Sequence, residues 1–308
     1  MDFTDVSLIS LRVFRAVAEQ GTFTAAAASL GYTQSAVSRQ IASVERAAGA
    51  TLVERRHDGA RLTAAGRVVM RRATVVLDQI DATARELSGM PVQGGTVRLG
   101  WVPVAGTTVV PHALAELRRS APNLHVVSRE GGTPALTRAL RAGSIDLALL
   151  SSAPPFRAPD TESPALVLQT LSERTLCLAV PTAHPLARGD FVDVDDLRGQ
   201  RWIAGSASGA DRLLGVWPGL DERPEIVHTA RDWLAKLHLV ASGCGLTTVP
   251  STLARVAPPG VRVLPVRGGP QEQRRLVLAR LPQPPTEPVS RLAAALQAAA
   301  ADGEAPPG

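Results

Sequence analysis

The chain has 308 residues, of which 45% are hydrophobic and 20% charged, and this length accommodates two or more domains with separate cores. No apolar run approaches the roughly 18 residues of a membrane span, and the acidic N-terminus MDFTDVSL is unlike a secretory signal, so we expect a cytoplasmic protein with no membrane partner. Cys177 and Cys244 lie far apart and form no CxxC-type pair, which predicts neither a disulfide framework nor a metal site.

The positive charge is concentrated in one segment. The formal net charge is +5, and residues 33–72 hold eight arginines and three carboxylates, which is also +5 and leaves the rest of the chain neutral. A localised positive patch favours a polyanionic partner. Only Lys236 of the 33 basic residues is a lysine, and the arginine fork suits phosphates and guanine edges, although G+C-rich codon usage gives the same bias.

The first 50 residues predict three helices. Residues 7–19 place apolar side chains on one side of a helix that stops before a glycine. Thr22 is expected to cap a second helix that ends at Gly31, where a left-handed turn fits. Thr33 is expected to cap a third helix that runs to about Ala48. The second and third helices with their glycine turn form a helix-turn-helix.

The spacing within this motif fits DNA recognition. A tight crossing needs a small residue, a turn glycine and a β-branched plug, which Ala27, Gly31 and Val37 supply. The outward residues at the start of the third helix would then enter the major groove, where Gln pairs with adenine and Arg with guanine or a phosphate. These predicted DNA contacts are Thr33, Gln34, Ser35, Ser38 and Arg39. The alternative is a solvated helix face in a helical bundle.

A basic hairpin follows the helices. The segment LVERRHDGARLT predicts two short strands that turn at Asp58-Gly59. Arg55, Arg56 and Arg61 flank this turn, so the hairpin is interpreted as a wing that contacts the DNA backbone or a minor groove. The alternative is a solvated surface hairpin.

A long helix is predicted from Thr63 to about Leu87. Apolar residues recur along it at alternating spacings of four and three, which favours pairing with the same helix of a second subunit. The predicted seam comprises Val69, Ala73, Val76, Ile80, Ala84 and Leu87. Packing against the helix's own domain uses the same pattern and stays open. A dimer would place two recognition helices roughly 34 Å or a multiple of it apart.

The stretch FTAAAASLGYTQSAVSRQIASVERAAGATLVERR, followed by GARLTAAG, resembles the N-terminal signature of LysR-type transcriptional regulators, and the similarity of layout continues through the chain. The resemblance implies that the start of the recognition helix and the wing contact DNA, at Thr33, Gln34, Ser35, Ser38, Arg39 and Arg55. Two positions depart from the family pattern. Val53 replaces an aromatic, and Asp58 occupies the place of a second wing arginine, for which Arg56 or Arg61 would substitute.

The family resemblance also implies the domain organisation. A winged helix-turn-helix would occupy residues 1–62, a linker and dimerisation helix 63–89, and an effector-binding domain 90–308. After a hinge at 90–95, alternating strands and helices predict an α/β fold with parallel sheets and crossover helices. The resemblance implies two Rossmann-like lobes, as in a periplasmic binding protein, with lobe I at about 96–158 and 268–302 and lobe II at about 159–267. The chain would cross between them near 153–165 and 266–271.

Effector contacts are predicted where parallel strands end, because ligands bind beyond the carboxyl ends of such strands. The candidates are Trp101, Pro103, Val104, Thr107, Gly132, Thr133, Ser151, Trp202, Gly205 and Ser206. The loop GSASG at 205–209 is a plausible anion-binding nest. Family members often have Ser or Thr near Val104, which weakens an assignment of a carboxylate effector. Either tryptophan can instead belong to the core.

No catalytic motif is found: HExxH, GxSxG and a phosphate loop are all missing from the sequence, so we expect neither an enzyme nor a cofactor. The preferred hypothesis is a sequence-specific DNA-binding transcriptional regulator, a homodimer or homotetramer, controlled by a small-molecule effector bound between two lobes and acting on RNA polymerase. Three alternatives remain: a solute-binding protein with a vestigial N-terminal domain, a ligand-independent DNA-organising protein, and a redox-responsive regulator using Cys177 and Cys244.

Overall fold

The computed structural model describes residues 3–4, 6–57, 59–87, 95–205, 215–220, 222–269 and 272–302, without the side chains of 82 and 84–87. The chain divides into two compact units. The first comprises Met1–Leu150, Ala158–Leu171 and Val277–Gly308, and the second comprises Ser151–Arg157 and Ser172–Leu276. None of the helices described is long and apolar enough to span a membrane.

The N-terminal part of the first unit has the predicted winged helix-turn-helix. Its elements are α1 (Leu8–Gln20), α2 (Phe23–Leu30), α3 (Gln34–Ala48), β1 (Val53–Arg56), β2 (Gly59–Leu62) and α4 (Ala64–Leu87). The predicted caps are present: the hydroxyls of Thr22, Thr33 and Thr63 accept hydrogen bonds from backbone N–H groups three residues further along. Each satisfies one of the orphan donors at a helix start.

Small and β-branched residues hold α2 and α3 together. Ala27 is 4% exposed and Val37 is fully buried, so a larger residue at 27 would separate the two helices. Gly31 between them has φ of 69°, a left-handed conformation that glycine adopts without steric cost. The predicted inward seam of α3 is confirmed, with Ile41, Val44 and Ala48 all buried beside Val37.

The rest of the chain is α/β, as predicted. Its elements are β3 (Thr96–Trp101), α5 (Val109–Ser120), β4 (His125–Glu130), α6 (Thr133–Arg141), β5 (Leu147–Ser152), β6 (Val167–Pro181), β7 (Val192–Asp193), β8 (Arg201–Ala204), β9 (Glu225–Thr229), α7 (Trp233–Ala241), β10 (Thr247–Pro250), β11 (Val261–Arg267), β12 (Gln273–Arg280) and α8 (Glu287–Asp302). In the first unit β3 is the middle strand and pairs in parallel with β4 and β5. In the second unit β8 and β9 are parallel, whereas β10 and β11 run antiparallel to β6.

The chain passes between the units at four points, three of which lie within strands. The divisions fall after Leu150 in β5, after Arg157, after Leu171 in β6 and after Leu276 in β12. The second lies within the crossing expected near 153–165, whereas the last lies beyond the one expected near 266–271. Continuous strands therefore carry three of these passages. The exact domain limits stay a prediction, and the hinge residues 90–94 lie outside the described residues.

Candidate DNA-binding face and effector edge

The start of α3 presents an exposed polar face. Thr33, Gln34, Ser35 and Arg39 are exposed and Ser38 is half-exposed, and these five residues are called the recognition face. Its members bond to each other: the hydroxyls of Thr33 and Ser35 are 3.0 Å apart, and Nε2 of Gln34 donates to Oγ of Ser38 at 3.4 Å. Because the opposite side of the helix is buried, the recognition face is free to meet a partner.

The three wing arginines differ in their surroundings. Nη2 of Arg55 donates to Oγ of Ser38 at 3.1 Å, which places Arg55 beside the recognition face. Nη2 of Arg56 lies 3.0 Å from a carboxylate oxygen of Glu54, with both side chains about half exposed, a pair of small net worth. Arg61 is exposed on β2, in register with Glu54. Asp58, at the predicted turn, lies outside the described residues.

Phe23 belongs to this site although it was not among the predicted contacts. The guanidinium carbon of Arg55 lies 4.2 Å from the centroid of the Phe23 ring. An aromatic at the first position of an apolar helix predicts core packing, and Phe23 is indeed 9% exposed. To predict its second role from the sequence, one would have to know that Arg55 of β1 lies over the Phe23 ring.

Helix α4 has two sets of apolar residues, one buried and one exposed, and the predicted seam included members of both. Met70, Ala73 and Leu77 are buried in the core of the N-terminal domain, and Val69 packs against that core, so the prediction that Val69 and Ala73 face a partner is corrected. An outer stripe remains exposed; it consists of Val68 (51%), Val75 (54%), Val76 (44%) and Ile80 (41%). The side chains of Ala84 and Leu87 lie outside the described residues.

In the first unit, the carboxyl ends of three parallel strands meet at one edge. Trp101 at the end of β3 is in register with Glu130 of β4 and Leu149 of β5. Immediately after β4, the N–H of Gly131 donates to the carbonyl of Trp101 at 3.0 Å, and Gly132 is the N-cap of α6. The predicted residues Trp101, Pro103, Val104, Thr107, Gly132 and Thr133 are called the effector edge.

A 3-10 turn at Pro103–Thr107 folds over the Trp101 indole. A Cβ on Gly106 would come within 2.3 Å of Cζ3 of Trp101, so only glycine fits there. Within the described part of the chain, no group accepts a hydrogen bond from the buried Nε1 of Trp101. An orphaned buried donor is costly. On the other side of this edge α6 begins at Gly132, and Pro134 in its first turn has no N–H.

The other predicted effector residues belong to the second unit. Ser151 is exposed at the end of β5, and Gly205 is buried at the end of β8. Trp202 is 1% exposed within an apolar cluster and offers no surface to a ligand, so we reassign it to the core. Ser206 lies outside the described residues.

Helix α6 links the effector edge to the DNA-binding domain. Its first turn begins at Gly132, and two turns later Nε of Arg138 donates to the backbone carbonyl of Glu19, in the last turn of α1, at 3.0 Å. Arg129 of β4 lies 3.5 Å from a carboxylate oxygen of the same Glu19. Burial lowers the pKa of Arg138, which nevertheless remains a cation at neutral pH. A cation at the negative end of α1 is electrostatically favourable.

Helix α4 is fixed to the same part of the first unit. Oγ1 of Thr74 donates to the carbonyl of Ala142, just after α6, at 3.2 Å. Arg98 of β3 holds Asp146 with two bonds of 2.8 and 3.2 Å and reaches Asp78 of α4 at 2.8 Å. Burial raises the pKa of Asp78, and the Arg98 charge opposes that shift. The linker helix is therefore bonded to the residue that follows α6 and to β3.

The cysteines give little support to a redox switch. Cys177 is 6% exposed on β6, and burial raises the pKa of its thiol. Cys244 is partly buried against the same apolar cluster. The thiolate is the reactive species, so a buried thiol with a raised pKa is poorly suited to sensing an oxidant.

Comparison with known proteins covers both parts of the chain. Residues 8–67 match the family described as bacterial regulatory helix-turn-helix protein, lysR family, and residues 92–301 match the LysR substrate binding domain. The chain is 30% identical over 257 residues, 82% of each protein, to the HTH-type transcriptional regulator AlsR of Bacillus subtilis (strain 168). It is 33% identical over 199 residues to a probable RuBisCO transcriptional regulator of Cyanidioschyzon merolae (strain NIES-3377 / 10D), and this alignment spans 64% of each protein, slightly under two thirds of that relative.

A solved structure shows the same fold over nearly the whole chain. Full-length BenM aligns with a TM-score of 0.56 and 25% identity, covering 98% of this chain and 100% of that one. Together with the sequence matches, which run from the helix-turn-helix through α8, this shows that the chain belongs to the LysR family of transcriptional regulators, DNA-binding proteins with an effector-binding domain and no enzymatic activity.

Proposed function

We propose that this regulator reads its operator with the recognition face of α3 and with Arg55, and that a small molecule bound at the effector edge controls it. One observation carries the first part: an exposed hydrogen-bonding face lies opposite a buried seam, within the segment that holds the net positive charge. Such a helix face fits the major groove, where the donor and acceptor pattern of each base pair is distinct.

The members of the recognition face are assigned different roles. Gln34 and Arg39 have the side chains that pair two-pronged with adenine and guanine, and each good pair supplies about 1–3 kcal/mol of discrimination. Thr33, Ser35 and Ser38 fix the register on phosphates. Arg56 and Arg61 add sequence-independent attraction to the DNA backbone.

We further propose that the outer stripe of α4 pairs with a second copy of the chain. Four exposed branched apolar residues on one helix face are an unusual arrangement for a monomer surface, and α1, whose Ile9 is 51% exposed, packs against the same helix. A two-fold dimer presents two recognition faces to related half-sites, spaced by about 34 Å or a multiple of it. A homodimer and a homotetramer both satisfy this geometry.

Control by a ligand requires that the ligand binds two states with different affinity. The effector edge provides the unpartnered Nε1 of Trp101, which suits a ligand with a hydrogen-bond acceptor. Because α6 also contacts α1 through Arg138, a shift of α6 on ligand binding reaches the DNA-binding domain directly. The resulting change in DNA geometry or in contact with RNA polymerase would alter transcription.

The binding test uses full-length protein and a duplex selected by the wild type from a random library. Arg39→Ala is compared with Arg118→Ala, an exposed arginine of α5 outside the basic segment, by fluorescence anisotropy. We expect Arg39→Ala to weaken binding to the selected duplex by roughly tenfold or more and Arg118→Ala to leave it unchanged. Equal affinities of the two variants would remove α3 from the DNA contact.

The same anisotropy assay, extended to a scrambled duplex, separates this function from its main alternative. A ligand-independent DNA-organising protein binds selected and scrambled duplexes with similar affinity, because it contacts the charged DNA backbone.

A thermal-shift screen of metabolites on the full-length chain tests for the effector. Uniformly unchanged melting temperatures would argue against a small-molecule sensor.

A further inference from the structure

The position of Arg55 is set by three elements of the N-terminal domain. The N–H of Ala60 in β2 donates to the carbonyl of Gly21 at 2.7 Å, which ties the wing to the chain just before α2. Arg55 on β1 then lies over the ring of Phe23, 4.2 Å from its centroid, and donates to Ser38 of α3 at 3.1 Å. The guanidinium thus has a flat support on one side and a hydroxyl at one end.

Arg55 retains its charge for a partner. Among the described residues, no carboxylate forms an ion pair with it, whereas the neighbouring Arg56 is paired with Glu54 at 3.0 Å. A guanidinium has five N–H donors, and the bond to Ser38 uses one of them. A neutral hydroxyl and an aromatic face orient the group without neutralising it, so the remaining donors stay available to an acceptor outside the protein.

Orientation before binding has a physical benefit. A free arginine side chain loses rotamer freedom when it binds, and a side chain that is already held loses less. The contacts also make Arg55 continuous with the recognition face, because Ser38 accepts a hydrogen bond from Gln34 as well.

We propose that Phe23 is a positioning residue for DNA recognition, and that it acts by holding Arg55 against Ser38 so that wing and recognition helix bind as one unit. The proposal rests on the proposed function, in which Arg55 contacts DNA. Phe23 itself touches no DNA. Its 9% exposure means that one face packs in the core while Arg55 covers the other, so replacing it can separate the two roles.

The test is a double-mutant cycle in full-length protein, with anisotropy measured on the selected duplex. Phe23→Leu keeps an apolar side chain in the core and removes the π face. In the wild-type background we expect it to weaken binding about two- to fivefold, which corresponds to the loss of an exposed cation–π contact. In the Arg55→Ala background the same change should leave affinity within 1.5-fold, because the supported group is already gone.

Two controls separate positioning from packing. Phe14→Leu removes a ring that is fully buried in the same core and makes no contact with Arg55, and Phe23→Tyr retains the aromatic face; both should bind within twofold of wild type. Thermal unfolding monitors folding throughout, and Phe23→Met replaces the leucine variant if that one loses its helical signal.

Three outcomes would overturn the proposal. A Phe23→Leu effect of equal size in both backgrounds would make it a general packing effect. Unchanged affinity of Phe23→Leu alongside a weakened Arg55→Ala would remove the role of Phe23 while leaving the proposed function intact. Unchanged affinity of Arg55→Ala would remove Arg55 from the DNA contact, and the role of Phe23 with it.

Discussion

Lys236, the only lysine of the chain, is predicted to destabilise the native state at neutral pH. It is 3% exposed on α7, with Nζ 4.4 Å from the centroid of the Trp233 ring. Burial lowers its pKa from 10.5 to about 8, and the charge of Asp232 only partly opposes that shift. The native state therefore binds this proton more weakly than the unfolded chain does.

The magnitude follows from linkage. Between pH 8 and 10.5 the unfolded chain holds the proton and the folded protein has released it, so stability rises with pH in this window. Each pKa unit corresponds to 1.36 kcal/mol, so the penalty from the charge is about 3 kcal/mol at pH 7 and falls by about 2 kcal/mol by pH 10. Lys236→Met keeps the apolar stem and removes the charge, and with it a cation–π contact of about 0.5–2 kcal/mol.

The assay is urea unfolding of the full-length wild type and Lys236→Met at pH 7, 8, 9 and 10, followed by circular dichroism. Other titrating groups are shared, so they cancel in the difference between the two proteins. We expect Lys236→Met to be more stable at pH 7 by about 1–2 kcal/mol, and the wild type to gain on it steadily above pH 8. A difference that is constant with pH would refute the assignment of a buried, depressed amine.

Three further predictions concern the first unit. Arg138→Gln should speed hydrogen exchange at the last turn of α1 because it removes the charged contact to the Glu19 carbonyl; the same rate in Arg138→Gln as in the surface control Arg118→Gln would show that α6 does not restrain α1. Gly106→Ala should lower the melting temperature because its Cβ meets the Trp101 ring, and Trp101→Leu should relieve that loss; additive losses in the double variant would contradict the close packing. Val75→Glu in the outer stripe should lower the molar mass measured by light scattering, since a charge would enter the proposed dimer surface; an unchanged mass would place the interface elsewhere.

The N-terminal domain could be predicted closely because its signals are local. Thr22, Gly31 and Thr33 set the helix limits through caps and a left-handed turn, and the period of Val37 and Ile41 identifies the buried side of α3. These features depend on neighbours within one or two turns. The alternation of strands and helices after residue 95 is a local signal of the same kind.

Tertiary burial could not be read in this way. The sequence makes both Trp101 and Trp202 candidates for the effector site, yet Trp202 is 1% exposed, and only the packing around β8 decides that. The spacing of Ala73 and Val76 on α4 fits one seam, but Ala73 is buried in the core whereas Val76 is exposed. The role of Phe23 depends on a residue 32 positions further along, for which periodicity contains no information.

The most direct measurement of the central claim, that the polar side chains of α3 read sequence, compares selected and scrambled duplexes at about 150 mM salt. Wild-type protein should prefer the selected duplex by a factor of about 10³ or more. Gln34→Ala should relax the preference at one base pair. It should leave the salt dependence unchanged, because glutamine is uncharged and neutralises no phosphate. Equal binding of both duplexes by the wild type, or an unaltered base preference in Gln34→Ala and Arg39→Ala alike, would contradict it.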